Sequence, residues 1–193
     1  LESLNILIVE DNPGDVFIVT ELLKSSGIHF NHTHVSTLKE TLVLCEENQF
    51  DIILLDLGLP DSLGLETLKS IYAFNPKVPL VVMTGLDDEY AALTALREGA
   101  QDYLVKNRFN VDSLLRSIKF SIERKKINLL QKLYAQRFTI LSAATAALNE
   151  SEDIPSIFRI ICANIMILLE KAGALAIEFP ESDKLRVSGI EWL

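Results

Sequence analysis

Cysteine is scarce in this chain, two in 193 residues, and tryptophan occurs once. Cys45 and Cys162 lie far apart in helix-like surroundings without metal-ligand spacing. A disulfide framework and a thiolate metal site are thereby excluded, and both residues read as reduced packing groups. No apolar run reaches the ~18–20 residues of a membrane span, and Leu1-Glu2-Ser3 places no basic region ahead of an apolar one. The expectation is a cytoplasmic chain without membrane contact. Basic residues are also few over residues 1–110, where 17 acids face 7 bases. That balance speaks against nucleic-acid binding, which rests on neutralising phosphates with Lys and Arg. Residues 111–149 reverse the sign with 2 acids and 7 bases, and residues 150–193 carry 8 and 4. The basic middle reads as a solvated helix face. With no initiator Met and an end at Glu191-Trp192-Leu193, the chain is expected to be a piece of a longer protein.

What the sequence does have is 49% hydrophobic residues, enough for one full core and part of a second. Phe50 to Leu57 is an apolar run bounded by acids and a Gly58-Leu59-Pro60 turn, the pattern of a parallel strand buried on both faces. Asp56 then stands at its carboxyl end, where open α/β sheets keep their chemistry. Leu4 to Val9 is a first strand, ending in Glu10-Asp11. Asn12-Pro13 opens a helix running to Ser25-Ser26-Gly27. Ile28 to Val35 is more polar and suits a sheet edge; its His32 and His34 share a face but lack a third ligand, and read as exposed edge histidines. Thr37-Leu38-Lys39-Glu40 is a capping box opening a helix to about Asn48. A helix from Gly64 to Phe74, a strand from Val78 to Thr84, a helix from Asp87 to Glu98 closed by Gly99, and a strand from Gln101 to Val105 complete a β/α alternation. The spacing predicts a parallel sheet with helices on both faces.

From Val111 to about Asn149 no proline or glycine intervenes, which predicts one long helix. Leu114, Leu115, Ile118 and Ile122 can pack on the sheet. Leu129, Leu130, Leu133, Tyr134, Ile140, Leu141, Ala144 and Leu148 continue the spacing beyond it, so a second surface is expected to cover them, most simply a second copy of the chain. After Asn149, Ser151-Glu152-Asp153 caps another helix to about Gly173. Two strand-like runs follow, Ala174 to Phe179 and Leu185 to Trp192. A helix and one hairpin bury too little to stand alone.

Glu10, Asp11 and Asp56 are three like charges at adjoining strand ends, which repel unless a cation sits among them. An all-oxygen set with open positions suits Mg²⁺ rather than zinc. Asp56 then reads as a nucleophile toward phosphorus, with the charge of Lys106 and the hydroxyl of Thr84 placed to neutralise phosphoryl oxygens. A phosphohydrolase with an aspartyl-phosphate intermediate would need a carboxylate two residues after the nucleophile, where Gly58 stands. A dinucleotide site would need a glycine-rich loop where Glu10-Asp11-Asn12-Pro13-Gly14 stands.

Ile8-Val9-Glu10-Asp11, Leu54-Leu55-Asp56-Leu57-Gly58-Leu59-Pro60-Asp61, Val82-Met83-Thr84-Gly85 and Asp102-Tyr103-Leu104-Val105-Lys106 together resemble the receiver domain of two-component response regulators, from residue 4 to about 122. The resemblance implies a flavodoxin-like fold, a doubly wound five-stranded parallel sheet of order 2-1-3-4-5. It implies that Glu10, Asp11, Asp56 and the Gly58 carbonyl hold Mg²⁺. Asp56 would accept a phosphoryl group from a histidine kinase or phosphotransfer domain, contacted by Thr84 and Lys106, with Tyr103 as a rotating aromatic. It also implies that the side chains at Gly58 and Leu86 flank the approach of water; neither can hold one, so the phosphorylated state is expected to last. An unphosphorylated, receiver-like interaction module is the other reading of the same motifs. Leu141 to Leu148, Ile154 to Leu169 and Ala174 to Phe179 resemble the start of a GAF sensor domain. The expected organisation is a receiver over 1–122, a signalling helix over 123–149 and a GAF-like fragment over 150–193.

Overall fold

The most apolar strands take the centre of the main sheet, and the most polar one lies at its edge. The computed structural model describes residues 3–85, 89–150, 175–178 and 186–190. In chain order these form β1 (Leu4–Val9), α1 (Pro13–Ser25), β2 (Phe30–Val35), α2 (Leu38–Glu47), β3 (Ile52–Asp56), β4 (Gly58–Leu59), β5 (Ser62–Leu63), α3 (Leu65–Phe74), β6 (Leu80–Thr84), α4 (Glu89–Arg97), β7 (Asp102–Val105), α5 (Val111–Glu150), β8 (Leu175–Glu178) and β9 (Arg186–Ile190). The main sheet is parallel, in the order β2-β1-β3-β6-β7. Counting its five strands alone, this is the expected 2-1-3-4-5. Ile52 to Leu55 of central β3 are fully buried, whereas four of the six residues of edge strand β2 are exposed. Sequence spacing did not reveal β4 and β5, a two-residue antiparallel ladder folding the segment after Asp56 back on itself.

Alternation along the strands divides the core in two. Leu7, Val9, Ile53, Leu55, Leu80 and Val82 face Cys45 of α2, Leu68 and Ile71 of α3 and Ala95 of α4. Ile6, Ile8, Ile52, Leu54, Val81 and Met83 face Val19 and Leu23 of α1 and Leu114 and Ile118 of α5. Each such aliphatic side chain contributes about 1.5–3 kcal/mol by leaving water, so the two layers outweigh every polar contact in the domain. Helix starts follow local chemistry. The Asn12 side chain accepts from the Gly14 amide at 2.9 Å, with Pro13 in the first turn. Thr37 accepts from the Glu40 amide at 3.2 Å, while the Glu40 carboxylate reaches the Ser36 amide at 3.1 Å.

The α5 helix runs for 40 residues. Near the end of its sheet-packed part, an Arg124 guanidinium nitrogen donates to the Gln101 carbonyl at 2.9 Å, and the Lys125 ammonium lies 4.8 Å from the centre of the Tyr72 ring. Contacts divide the chain into two units, residues 1–129 and 130–193. In the second, β8 and β9 pair antiparallel. The helix expected from Ser151 to about Gly173 and the turn between the two strands fall outside the described residues. Among the described residues no helix is long and apolar enough to cross a membrane.

Gly99 ends the α4 segment at φ 117°, and a Cβ there would meet the Tyr72 ring at 2.9 Å. Gly99→Ala is therefore expected to cost about 1–3 kcal/mol, read from the urea midpoint. Gly85→Ala, whose Cβ meets nothing within 4 Å among the described residues, should stay within about 0.5 kcal/mol of the parent.

Candidate functional site: an acidic pocket at the carboxyl edge of the sheet

Strand register builds the site. Val9 pairs with Leu55, so the next residues, Glu10 and Asp56, leave the sheet side by side. Thr84 pairs with Val105, and the Lys106 amide donates to the Thr84 carbonyl at 2.7 Å. The period of two sorts the side chains. Glu10, Asp56 and Lys106 share the parity of Ile8, Leu54 and Leu104, the face covered by α1 and α5. Thr84 and Tyr103 share the opposite parity, and half-buried Tyr103 packs with the other core layer. The set read at one edge of the sheet is thus distributed on both sides of it.

Glu10 is fully buried, and Asp56 and Lys106 have side chains only 13% and 17% exposed. The Lys106 ammonium stands 2.8 Å from Glu10 Oε2, 2.9 Å from Asp15 Oδ2 and 3.0 Å from Asp56 Oδ2. The Glu10 contact is an ion pair without an aligned hydrogen bond. Burial pushes the Glu10 carboxyl above its ordinary range, opposed by Lys106 and reinforced by the charge of Asp56. Burial alone would weaken the Lys106 ammonium, but its three carboxylate partners more than reverse this and hold its proton above the usual lysine range. Asn107, at φ 62°, turns the chain immediately after Lys106.

Glu10, Asp11 and Asp56 each offer a carboxylate oxygen, and these lie within 4.8 Å of one another. Hard oxygen donors so spaced, one of them buried and lacking an aligned donor, fit a divalent cation such as Mg²⁺. Beside them a cleft of about 310 Å³ is lined by Asp56, Leu57, Gly58, Leu63, Gly64, Met83, Thr84 and Gly85. Thr84 is 4% exposed, and its hydroxyl has no hydrogen-bond partner among the described residues. A buried hydroxyl left so costs about 1–3 kcal/mol, which an acceptor arriving in the cleft would recover. Gly58 has no positive φ, and a Cβ there would sit 3.5 Å from Asp56 Oδ2, an ordinary contact. Leu86 lies outside the described residues.

The chain matches the family model of the response regulator receiver domain over residues 6–119. It belongs to that family. Among curated relatives, the transcriptional regulatory protein ZraR of Escherichia coli K12 is 33% identical over 105 residues, 54% of this chain and 23% of that protein. The receiver thus spans about a quarter of the length of such relatives. Among solved structures, a response regulator receiver domain protein from Clostridium thermocellum is 28% identical, with a TM-score of 0.57 over 64% of this chain and 98% of its own. The receiver domain of a sensor histidine kinase from Pseudomonas aeruginosa, with a magnesium ion coordinated in its active site cleft, is 28% identical, with a TM-score of 0.55 over 63% of this chain and 99% of its own. Receiver domains bind Mg²⁺ in an acidic pocket, and this receiver carries such a cluster.

Four residues around the pocket escaped the reading of the sequence. Asp15 reaches Lys106 from α1, Asn107 shapes the turn, and a His34 ring nitrogen lies 2.8 Å from the Glu10 carbonyl. Asp61 accepts from the Leu38 and Lys39 amides at 2.8 and 3.0 Å, so the turn between β4 and β5 caps α2 from across the domain. A carboxylate on two helix N-terminal amides is a long-range form of capping, with no local sequence pattern to betray it. Those two bonds hold the Asp61 carboxyl below its ordinary 3.8. With the folded value depressed, this stabilisation is complete above about pH 3.8 and is lost as pH falls through the lower folded value. The Leu38 and Lys39 amide resonances should therefore titrate with a midpoint below 3.8, and Asp61→Ala should abolish that titration.

Proposed function

We propose that this receiver is a phospho-acceptor switch that takes a phosphoryl group from a histidine kinase or phosphotransfer domain onto Asp56. The observation that carries the reading is the pairing of Asp56 with Lys106 and the buried hydroxyl of Thr84, unpaired among the described residues, with Asp56 and Thr84 bordering one cleft. An Asp56 carboxylate oxygen attacks phosphorus, the bond from phosphorus to the donor nitrogen breaks, and the donor imidazole leaves with the electron pair. Lys106 remains protonated and Thr84 donates its hydroxyl, each to a phosphoryl oxygen. Glu10, Asp11, Asp56 and the Gly58 carbonyl would hold Mg²⁺, which supplies charge neutralisation between carboxylate and phosphoryl oxygens. Tyr103, on the Thr84 face of the sheet, serves as the aromatic that responds when Thr84 moves toward its new acceptor.

The signal then passes along α5 to a sensor or output domain, of which the GAF-like segment is the proposed beginning, in a cytoplasmic protein. This stretch contacts neither nucleic acid nor membrane in the proposed role. Ile127, Leu130, Tyr134, Phe138 and Leu141 recur at helical spacing with 51%, 44%, 64%, 73% and 53% of their surface exposed, which supports a homodimer held through this stripe.

Acetyl phosphate with Mg²⁺ is expected to label the chain at Asp56, with Asp56→Asn abolishing incorporation. Labelling of that variant at the parental rate would remove the assignment. Sedimentation should find the intact chain dimeric at micromolar concentration, and a chain ending at Lys126, which keeps the Arg124 and Lys125 contacts, monomeric; a monomeric intact chain would refute the dimer.

A further inference from the structure

Lys106 is held by one carboxylate more than the proposed chemistry uses. Its ammonium pairs with three carboxylates, Glu10, Asp15 and Asp56, at 2.8, 2.9 and 3.0 Å. Glu10 and Asp56 belong to the group whose oxygens converge within 4.8 Å, whereas Asp15 stands outside it. Asp15 is the third residue of α1, a position from which an acidic side chain ordinarily folds back onto the amide of the capping residue. Here the Asn12 amide already has Glu10 Oε1 at 3.2 Å, and the Asp15 carboxylate reaches across to Lys106 instead. The pair is largely shielded, with side chains 22% and 17% exposed, so it is stronger than an ion pair on an open surface.

Resting on the phospho-acceptor reading, we propose that Asp15 is the positioning residue of this site. It keeps the Lys106 ammonium beside Asp56 when a divalent ion and the incoming phosphoryl group engage Glu10 and Asp56. As the bond from Asp56 oxygen to phosphorus forms and the donor's bond to phosphorus breaks, one Lys106 donor turns from Asp56 to a phosphoryl oxygen. Glu10 would hold the ion while it also faces the lysine. Asp15, whose ion pair among the described residues is with Lys106, fixes the ammonium without touching a reacting atom. With asparagine there, the lysine loses that anchor, and small displacements of a positioned charge cost rate rather than ion affinity.

The test uses the full chain, acetyl phosphate with Mg²⁺, and the parent, Asp15→Asn and Asp15→Glu proteins. Asp15→Asn should lower the maximal rate of Asp56 labelling about tenfold, with half-saturating Mg²⁺ little changed, and Asp15→Glu should restore part of the rate. Without phosphodonor or metal, the Lys106 side-chain ¹⁵N resonance, visible because its held protons exchange slowly, should vanish in Asp15→Asn and persist in Asp15→Glu. A parental or faster labelling rate in Asp15→Asn, or a Lys106 resonance unchanged by it, overturns the proposal. Absence of labelling in the parent would overturn the phospho-acceptor reading and the positioning role with it; normal parental labelling with an unaffected Asp15→Asn overturns the positioning role alone.

Discussion

One ammonium among carboxylates is the constraint on which the site depends. Glu10 is buried without exposure, and burial together with the charge of Asp56 beside it pushes the Glu10 carboxyl above its ordinary range. Lys106 supplies the compensating charge, and its 2.8–3.0 Å contacts tie the ends of β1, β3 and β7 and the first turn of α1 to one point. Breaking a shielded cluster of this kind by removing the single cation costs about 3–5 kcal/mol, comparable with the net stability of a small domain. A divalent cation held by these carboxylates would ease the same repulsion, so ion and lysine would act on one electrostatic problem.

The sheet gives this cluster two sides. Its α1–α5 face carries Glu10, Asp56 and Lys106, while Thr84 and Tyr103 project toward α3 and α4. A change at Asp56 felt by Lys106 is therefore directed toward α1, and one felt by Thr84 toward the opposite layer, where half-buried Tyr103 packs. The β4–β5 ladder and Asp61 add a third direction, joining the segment after Asp56 to the start of α2 through two backbone amides. These are contiguous contacts through which a local charge change reaches several elements.

Much of this architecture was legible from residue order. Buried parallel strands read as unbroken apolar runs, so Ile52 to Leu55 announced the centre of the sheet, and the polar run through His32 and His34 announced an edge. Asn12-Pro13 and Thr37 through Glu40 marked helix starts because capping acts over three residues. The long helix was equally plain, since 40 residues without proline or glycine leave little else for the backbone to do. The ladder between Gly58 and Leu63 was not, because two-residue strands lie below any periodic signal.

For the site, sequence by itself determined which residues reach the carboxyl edge, since Glu10, Asp56, Thr84 and Lys106 each end or follow an apolar run. Tertiary structure decided what each one touches. Asp15 looks like an ordinary first-turn acid and Asp61 like an ordinary loop acid until the fold brings Lys106 within 2.9 Å of the one and the α2 amides within 2.8 and 3.0 Å of the other. The physical reason is range. Burial, capping and strand parity are written in neighbouring residues, whereas an ion pair between α1 and the end of β7 exists only because strand order and register bring distant segments together.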